Sequence, residues 1–293
     1  MTEYHISVLL HETIENLQVQ TDYLYIDATL GGAGHTKEIL KKGGEVLGID
    51  ADWDALDYVK QTCAEYLENG NLKIAQGNFK DIDILAKENR FTKVHGILFD
   101  LGISSHQVDD GSRGFSFQKE ASLDMRMDQK LSVKAADLVN GLTAFELKEL
   151  FEKLGEEIFA KRIADGIVKA RLNKPIETTT QLAQIAKMSY PKGMNKVSPA
   201  TKIFQALRIA VNDELYSIKE ALPKAIELLE KNGRLCVISF HSLEDRIVKE
   251  LFEELETKGK GKIITHKPIV PTQNEVFENP RSRSAKLRVI EKI

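Results

Sequence analysis

The chain has only two cysteines in 293 residues, Cys63 and Cys236, and no C-x-x-C pair. That excludes a disulfide framework and a thiolate metal site. Its seven histidines are scattered, with no H-x-x-x-H pair beside an acid, so no metal is expected. No apolar run reaches the ~18 residues of a membrane span. The first residues, MTEYHISVLLHE, lack the basic-then-apolar layout of a secretion signal. These absences point to the reducing cytoplasm and away from a membrane. Neither repeats nor low-complexity tracts occur, and 42% hydrophobic with 29% charged residues argues against disorder. Net charge is slight at −3, so any polyanion-binding surface must come from uneven distribution.

The most informative stretch present is Tyr23–His35, YLYIDATLGGAGH, followed by Asp50 at the end of GEVLGID. An apolar strand enters a glycine-rich turn, a helix follows, and the next strand ends in a carboxylate. This is the front half of a nucleotide-type cofactor site in a doubly wound α/β fold. Glycines let the backbone turn sharply and approach a ligand. Asp50 is placed to accept hydrogen bonds from two ribose hydroxyls.

Two signatures are missing from that turn. A dinucleotide loop wants G-x-G-x-x-G, but Lys37 stands at the third glycine position. The phosphate loop G-x-x-x-x-G-K-[ST] is absent. Asp27, just before the turn, repels phosphate and suits a cofactor carrying an amine and a sulfonium. S-adenosylmethionine carries both and has no phosphate. The competing reading is a glycine turn with no ligand.

Apolar, β-branched runs at Tyr23–Thr29, Glu45–Asp50, Leu72–Gln76 and Val94–Leu101 alternate with helical stretches such as Trp53–Leu67. That alternation predicts a parallel sheet. From Ser105 to Asn212 no strong strand occurs, only amphipathic segments at Thr143–Leu154, Glu157–Leu172, Thr180–Met188 and Pro199–Leu215. Thr143 with Glu146 has capping-box spacing, and Ser198-Pro199 reads as an N-cap with proline at the first helical position. Strand signals resume at Arg234–Phe240, Lys262–His266 and Ala285–Glu291, the last two as a possible antiparallel edge. The expected organisation is an α/β domain of residues 1–105 and 213–293 with a helical domain, 106–212, inserted over the ligand crevice.

Charge is lopsided. Residues 158–209 carry ten bases (Lys161, Arg162, Lys169, Arg171, Lys174, Lys187, Lys192, Lys196, Lys202, Arg208) against Asp165 and Glu177. The tail adds Arg281, Arg283, Lys286 and Arg288. Such clusters read either as a polyanion surface or as solvated helix faces.

Several strand ends carry candidate chemistry. Asp100, closing the fourth strand before Leu-Gly-Ile-Ser104-Ser105, would face the reacting group; the bland alternative is a turn acid. Phe79, after the third strand, either stacks on a base or joins the core. Arg113-Gly-Phe115-Ser-Phe117 offers aromatics beside arginine, which suit nucleobase stacking but are more often core. In Ser239-Phe-His241-Ser242-Leu-Glu244-Asp245, Ser242 and Asp245 have cap spacing, leaving His241 and Glu244 to face the site.

Together these motifs resemble one family. HISVLLHE at 5–12, DATLGGAGH at 27–35, GIDAD at 48–52, DLGISSHQVDD at 100–110, RGFSF at 113–117, LDMRMD at 123–128, ISFHSLEDR at 238–246 and NPRSRSAKLR at 279–288 are similar to those of the bacterial 16S rRNA (cytosine N4)-methyltransferases, the ribosomal small subunit methyltransferase H family. The resemblance implies a class I S-adenosylmethionine-dependent methyltransferase fold with an inserted helical RNA-recognition domain. It implies methyl transfer to N4 of a decoding-centre (P-site) cytosine of 16S rRNA in the small ribosomal subunit. It also implies cofactor contacts by Ala33, Gly34, His35, Asp50, Phe79, Asp100 and Gln107. One departure concerns the amine. The D/S-P-P-Y/F motif of DNA amino-methyltransferases is replaced here by Asp100-Leu-Gly-Ile-Ser-Ser. The candidates for accepting the amine hydrogens are therefore Asp100, Ser104, His241 and Glu244. The alternatives are a methyltransferase for another RNA, a protein or a small molecule, and an RNA-binding module without activity. Neither motif nor periodicity sets an oligomeric state.

Overall fold

A computed structural model describes residues 7–104, 107–108, 110–191 and 198–293. The chain divides into two compact units, Met1–Ser104 with Leu215–Ile293, and Ser105–Glu214.

The first unit holds a sheet of β1 (Leu24–Asp27), β2 (Glu45–Asp50), β3 (Leu72–Gln76), β4 (Val94–Asp100), β5 (Leu229–Ser239), β6 (Gly261–Ile263) and β7 (Lys286–Lys292). Their order is β3-β2-β1-β4-β5-β7-β6. The first five are parallel, and β7 runs antiparallel between β5 and β6. Order reverses between β1 and β4, so the crevice for a ligand opens beyond the carboxyl ends of these two strands.

Both faces of the sheet are buried, which explains the near-continuous apolar strands. Alternate residues go to opposite faces. Ile26, Leu47, Ile49, Ile97, Phe99, Leu235 and Val237 form one core with Ile82 and Ala86 of α5 (Ile82–Glu88). Ile218, Ala221 and Leu222 of Glu214–Leu228 and Val248 and Phe252 of Ser242–Thr257 complete it. Tyr25, Val46, Leu98, Cys236 and Ile238 face the other core. There they meet α1 (Leu10–Leu17), α2 (Gly34–Lys41) and α3 (Trp53–Thr62). The doubly wound α/β class is as expected.

Two elements differ from expectation. The helix after Asp50 breaks at Cys63, whose φ of −127° leaves the helical region. Cys63 buries its thiol in the core, and a short helix, α4 (Ala64–Glu68), restarts beyond it. Strand β5 begins at Leu229, ahead of the apolar run, with a register shift between Val94 and Gly96. Leu229 is fully buried and its carbonyl accepts from Lys292 Nζ at 2.7 Å.

The second unit contains α6 (Ala135–Gly141), α7 (Ala144–Gly155), α8 (Ala160–Arg171), α9 (Thr179–Ser189) and α10 (Pro199–Asn212). Thr143 caps α7: its Oγ1 accepts from Glu146 N, while the Glu146 carboxylate accepts from Thr143 N at 2.8 Å. Thr178 and Gln181 make the same box on α9. Ser198 does stand at the N-cap of α10 with Pro199 after it, but its side chain makes no capping bond. Among the described residues the only β pairing here is an isolated bridge, Ser122–Thr178. Asp213 takes left-handed dihedrals (φ 51°) and ends α10, after which the chain enters α11 (Glu214–Leu228).

Candidate active site

The site is a turn built on carboxylates. Leu30 N and Ala28 N pair with Ile49 and Leu98 carbonyls, extending the sheet hydrogen bonds past the end of β1. The chain then reverses at Gly31 (φ 47°) and Ala33 (φ 59°). Ala33 adopts a glycine-like conformation while fully buried, a strain that marks functional turns. Asp27 Oδ2 accepts from Thr36 Oγ1 at 2.7 Å and its Oδ1 from Thr29 N at 3.2 Å, tying strand end to helix start. Thr29 Oγ1 in turn accepts from Asp100 N at 2.6 Å. Of these two threonines only Thr29 carries a sequence signal, the D-x-T spacing of an Asx turn; Thr36 carries none.

Asp50 is engaged on both oxygens. Oδ2 accepts from Gly31 N and Oδ1 from Asp52 N, each at 2.8 Å. Each oxygen keeps a further lone pair for a ribose hydroxyl. Beyond β3, Phe79 packs edge-on against Phe99 with centroids 5.6 Å apart. It remains half-buried, so core contact and an exposed face coexist.

Asp100 lies at the end of β4 with Oδ1 buried and without a hydrogen-bond partner. His35, buried in α2, directs Nε2 to the Val8 carbonyl at 3.2 Å and brings Nδ1 to 3.7 Å from Asp100 Oδ2. Across from it, β5 runs into α12 (Ser242–Thr257). Here the cap differs from expectation. His241 is the N-cap, its Nδ1 facing Glu244 N at 3.4 Å, and Glu244 Oε2 accepts from Phe240 N at 2.8 Å and His241 N at 3.2 Å. His241 and Glu244 thus form the capping pair. Asp245 instead holds Arg288 Nε at 2.6 Å and Lys286 Nζ at 2.8 Å. His241 Nε2 lies 3.1 Å from Glu244 Oε1, yet is buried without a hydrogen bond.

Electrostatics give the turn its character. Burial pushes Asp27 up to about 6, against the hydroxyl and amide bonds from Thr36 and Thr29. Burial does the same to Asp50, also to about 6, opposed by the Asp52 and Gly31 amides. Asp100 rises well above the carboxylate range through burial and then the charges of Asp27 and Glu244. Carboxylates so crowded are costly alone and become favourable beside a cation. A phosphate would face the same charges and be repelled.

Ser104 is half-buried at the edge of this unit. Gln107 is buried within the second unit. Ser105, His106 and Asp109 lie outside the described residues.

The profile of the MraW methylase family matches residues 2–293. The chain belongs to that family. It is an enzyme that uses S-adenosylmethionine, and the crowded, cation-seeking carboxylates fit that cofactor. It is 45% identical over 313 residues to a ribosomal RNA small subunit methyltransferase H from Clostridioides difficile, covering all of both chains. Among solved structures it is similar to a putative rRNA-methylase from Clostridium thermocellum, with 13% identity, TM-score 0.48 and coverage of 98% and 99%. It is also similar to a putative methyltransferase from Streptococcus mutans in complex with SAH, with 13% identity, TM-score 0.46 and coverage of 98% and 99%.

The basic clusters are partly structural. Arg171 donates to the Val139 carbonyl at 2.7 Å, Arg208 pairs with Glu214 at 2.8 Å, and Lys202 donates to the Glu156 carbonyl at 2.8 Å. In the tail, Lys286 and Arg288 are taken by Asp245. Lys161, Arg162, Lys169 and Lys187 stay exposed and pair with no acid among the described residues. Lys192 and Lys196 lie outside the described residues. Arg113 is buried, giving Nη2 to the Arg126 and Met127 carbonyls, and Phe117 packs edge-on against Phe204. This group is therefore internal packing, not a stacking platform.

Proposed function

We propose that this cytoplasmic enzyme transfers a methyl group to N4 of a decoding-centre (P-site) cytosine of 16S rRNA in the small ribosomal subunit, with the helical unit, about 106–212, contacting the RNA. The observation that carries the chemistry is the trio Asp27, Asp50 and Asp100 at the switch point, which favours a cationic, phosphate-free donor. Support for the substrate comes from the full-length relative at 45% identity, whose name specifies small-subunit ribosomal RNA. The exposed bases on α8 and α9 add electrostatic support.

The cofactor supplies an electrophilic methyl carbon on a sulfonium. Asp50 holds the ribose hydroxyls, Phe79 covers the adenine, and the backbone at Ala33, Gly34 and His35 receives the methionine end. Gln107 enters on the family resemblance. Asp100 opposes the positive charge and, through its unpartnered Oδ1, accepts a hydrogen from the cytosine amine. Ser104 and Glu244 complete the acceptors; His241 stands beside them, and because its Nδ1 accepts from Glu244 N its buried Nε2 carries the hydrogen and can only donate. Holding the amine hydrogens localises the nitrogen lone pair, and alignment at about 3–3.5 Å from the methyl carbon does most of the catalytic work. As the methyl carbon leaves sulfur for nitrogen, the proton that the amine must lose would pass to the carboxylates of this acceptor set. The target base must be unpaired or flipped, which costs a few kcal/mol.

The test is methyl incorporation into small subunits, free rRNA, other RNA and protein, each against a blank without enzyme, with nucleoside mass mapping of the product. N4-methylcytidine at one small-subunit position is expected. Incorporation only into protein, a small molecule or another RNA would overturn the substrate assignment.

A further inference from the structure

The helical unit holds a groove of about 200 Å³ whose lining falls wholly within residues 170–188. It arises from the packing of α8 against α9. Gly166 brings the two helices together: a Cβ there would come 2.4 Å from Ser189 Oγ and 3.5 Å from Ile185 Cγ2. One turn further along α8, at Ala170, the groove opens. Gln181, Gln184, Ile185 and Met188 form its α9 wall; spacings of three, four and seven put them on one helix face. Pro175 and Ile176, between the two helices, form the opposite wall with Ala170.

That opposite wall is fixed before any ligand arrives. Ile176 N donates to Asn140 Oδ1 at 2.9 Å, and its carbonyl accepts from Asn140 Nδ2 at 2.8 Å. Gln181 Oε1 accepts from Glu177 N at 2.9 Å and from Thr178 N at 3.1 Å. A preformed wall spares the ordering cost of binding.

Shape and charge select the occupant. The lining is mostly aliphatic, and Met188 leaves 76% of its surface in water. Its polar groups are the amides of Gln181 and Gln184 and the ammonium of Lys174. The volume is smaller than the ~300 Å³ at which sites for drug-sized ligands begin, so the groove takes one ring system and no more. Lys169 and Lys187 stand next to lining residues in sequence, and both are exposed. Glu177 lies 4.0 Å from Lys174, an exposed pair worth little in water. An aliphatic slot with amides inside and lysines at its edge matches a nucleobase on a phosphate chain. The ring lies on apolar side chains, amides meet its polar edge, and lysines meet the flanking phosphates. A second copy of this chain fits poorly, because a two-fold contact would set these lysines against themselves.

We propose that the α8–α9 groove of the helical unit holds one unpaired nucleobase of the RNA, separate from the base that is methylated. The inference rests on the reading that the substrate is RNA. No covalent step is involved.

The test uses the full-length protein and synthetic RNA: a short single strand, the same strand with abasic sugars, and its duplex. Gln184→Ala with Met188→Ala strips the α9 wall at exposed helical positions, where alanine preserves the helix. Fluorescence anisotropy should show this double variant losing about 5–10-fold in affinity for the single strand with bases, the low end for removal of a base platform. The abasic strand and the duplex should bind it as they bind wild type. The log–log salt slope should not change, because no phosphate contact is removed. Equal losses on all three probes, or none on any, overturn the base site. The occupant is read by crosslinking. Leu172→Cys, 81% exposed and two residues from Ala170, is labelled with benzophenone and irradiated with small ribosomal subunits; the native cysteines are buried. Crosslinks should run to rRNA, and crosslinks only to a ribosomal protein or to a second copy of the chain overturn the assignment. Methylation by wild type tests the function separately. Small subunits methylated normally, with the double variant binding every probe like wild type, overturn the groove alone. A base-dependent loss alongside methylation of some other RNA supports the groove and overturns the target.

Discussion

Asp100→Asn separates stability from function. The Asp100 carboxyl is buried, has one oxygen without a partner, and sits in the field of Asp27 and Glu244. At pH 7.5 the cofactor-free protein must either ionise it against that field or keep it protonated. The amide has the same shape and no charge. Relief of one under-solvated charge is worth about 1–3 kcal/mol, so the cofactor-free variant should melt several degrees higher than wild type. Binding should move oppositely. Loss of a charge-assisted contact of about 1.5–3 kcal/mol weakens S-adenosylmethionine affinity by about 10–100-fold. The methylation step should slow by a further 10²–10³, the cost of removing one electrostatic group from a transition state. Differential scanning fluorimetry without cofactor, calorimetric titration, and single-turnover methylation at saturating cofactor read the three effects separately. A variant that melts lower than wild type and binds cofactor normally would refute the reasoning, placing Asp100 among turn acids.

Asp50→Ala strips acceptors from Gly31 N and Asp52 N, so it should cost about 1–3 kcal/mol of stability as well as cofactor affinity; Asp50→Asn keeps one acceptor and should lose less in a urea titration. Asp27 rises from the ordinary 3.8 to about 6, so the folded, cofactor-free protein holds a proton there that the unfolded chain has released. Its contribution to stability therefore declines as pH rises from about 4 through 6, by at most about 3 kcal/mol. Denaturation of Asp27→Asn against wild type should show the variant gaining relative stability toward pH 7.5, and a gap that narrows would contradict this. Alanine at Lys161, Arg162, Lys169 and Lys187 should lower the log–log salt slope of RNA binding by about 0.7–0.9 per lost phosphate contact. Arg171→Ala should lower the melting temperature instead, because its guanidinium holds the Val139 carbonyl.

Local pattern determined much of this protein. The central strands were legible because strands buried on both faces are written as short apolar runs, and the turn after β1 because few residues other than glycine tolerate its dihedrals. The class of cofactor followed from an acid where a phosphate site would need none. Tertiary structure decided what depends on partners distant in sequence. Whether Arg113, Arg171, Lys286 and Arg288 serve RNA or the fold turned on carbonyls and an acid that no local window contains. The cap of α12 moved to His241 and Glu244 because β7 brings Lys286 and Arg288 to Asp245, which leaves Asp245 engaged elsewhere. Leu9 N donates to Glu275 across 266 residues, a separation at which sequence carries no periodic signal. Periodicity records which face a residue buries; only the folded chain records which side chain it meets there.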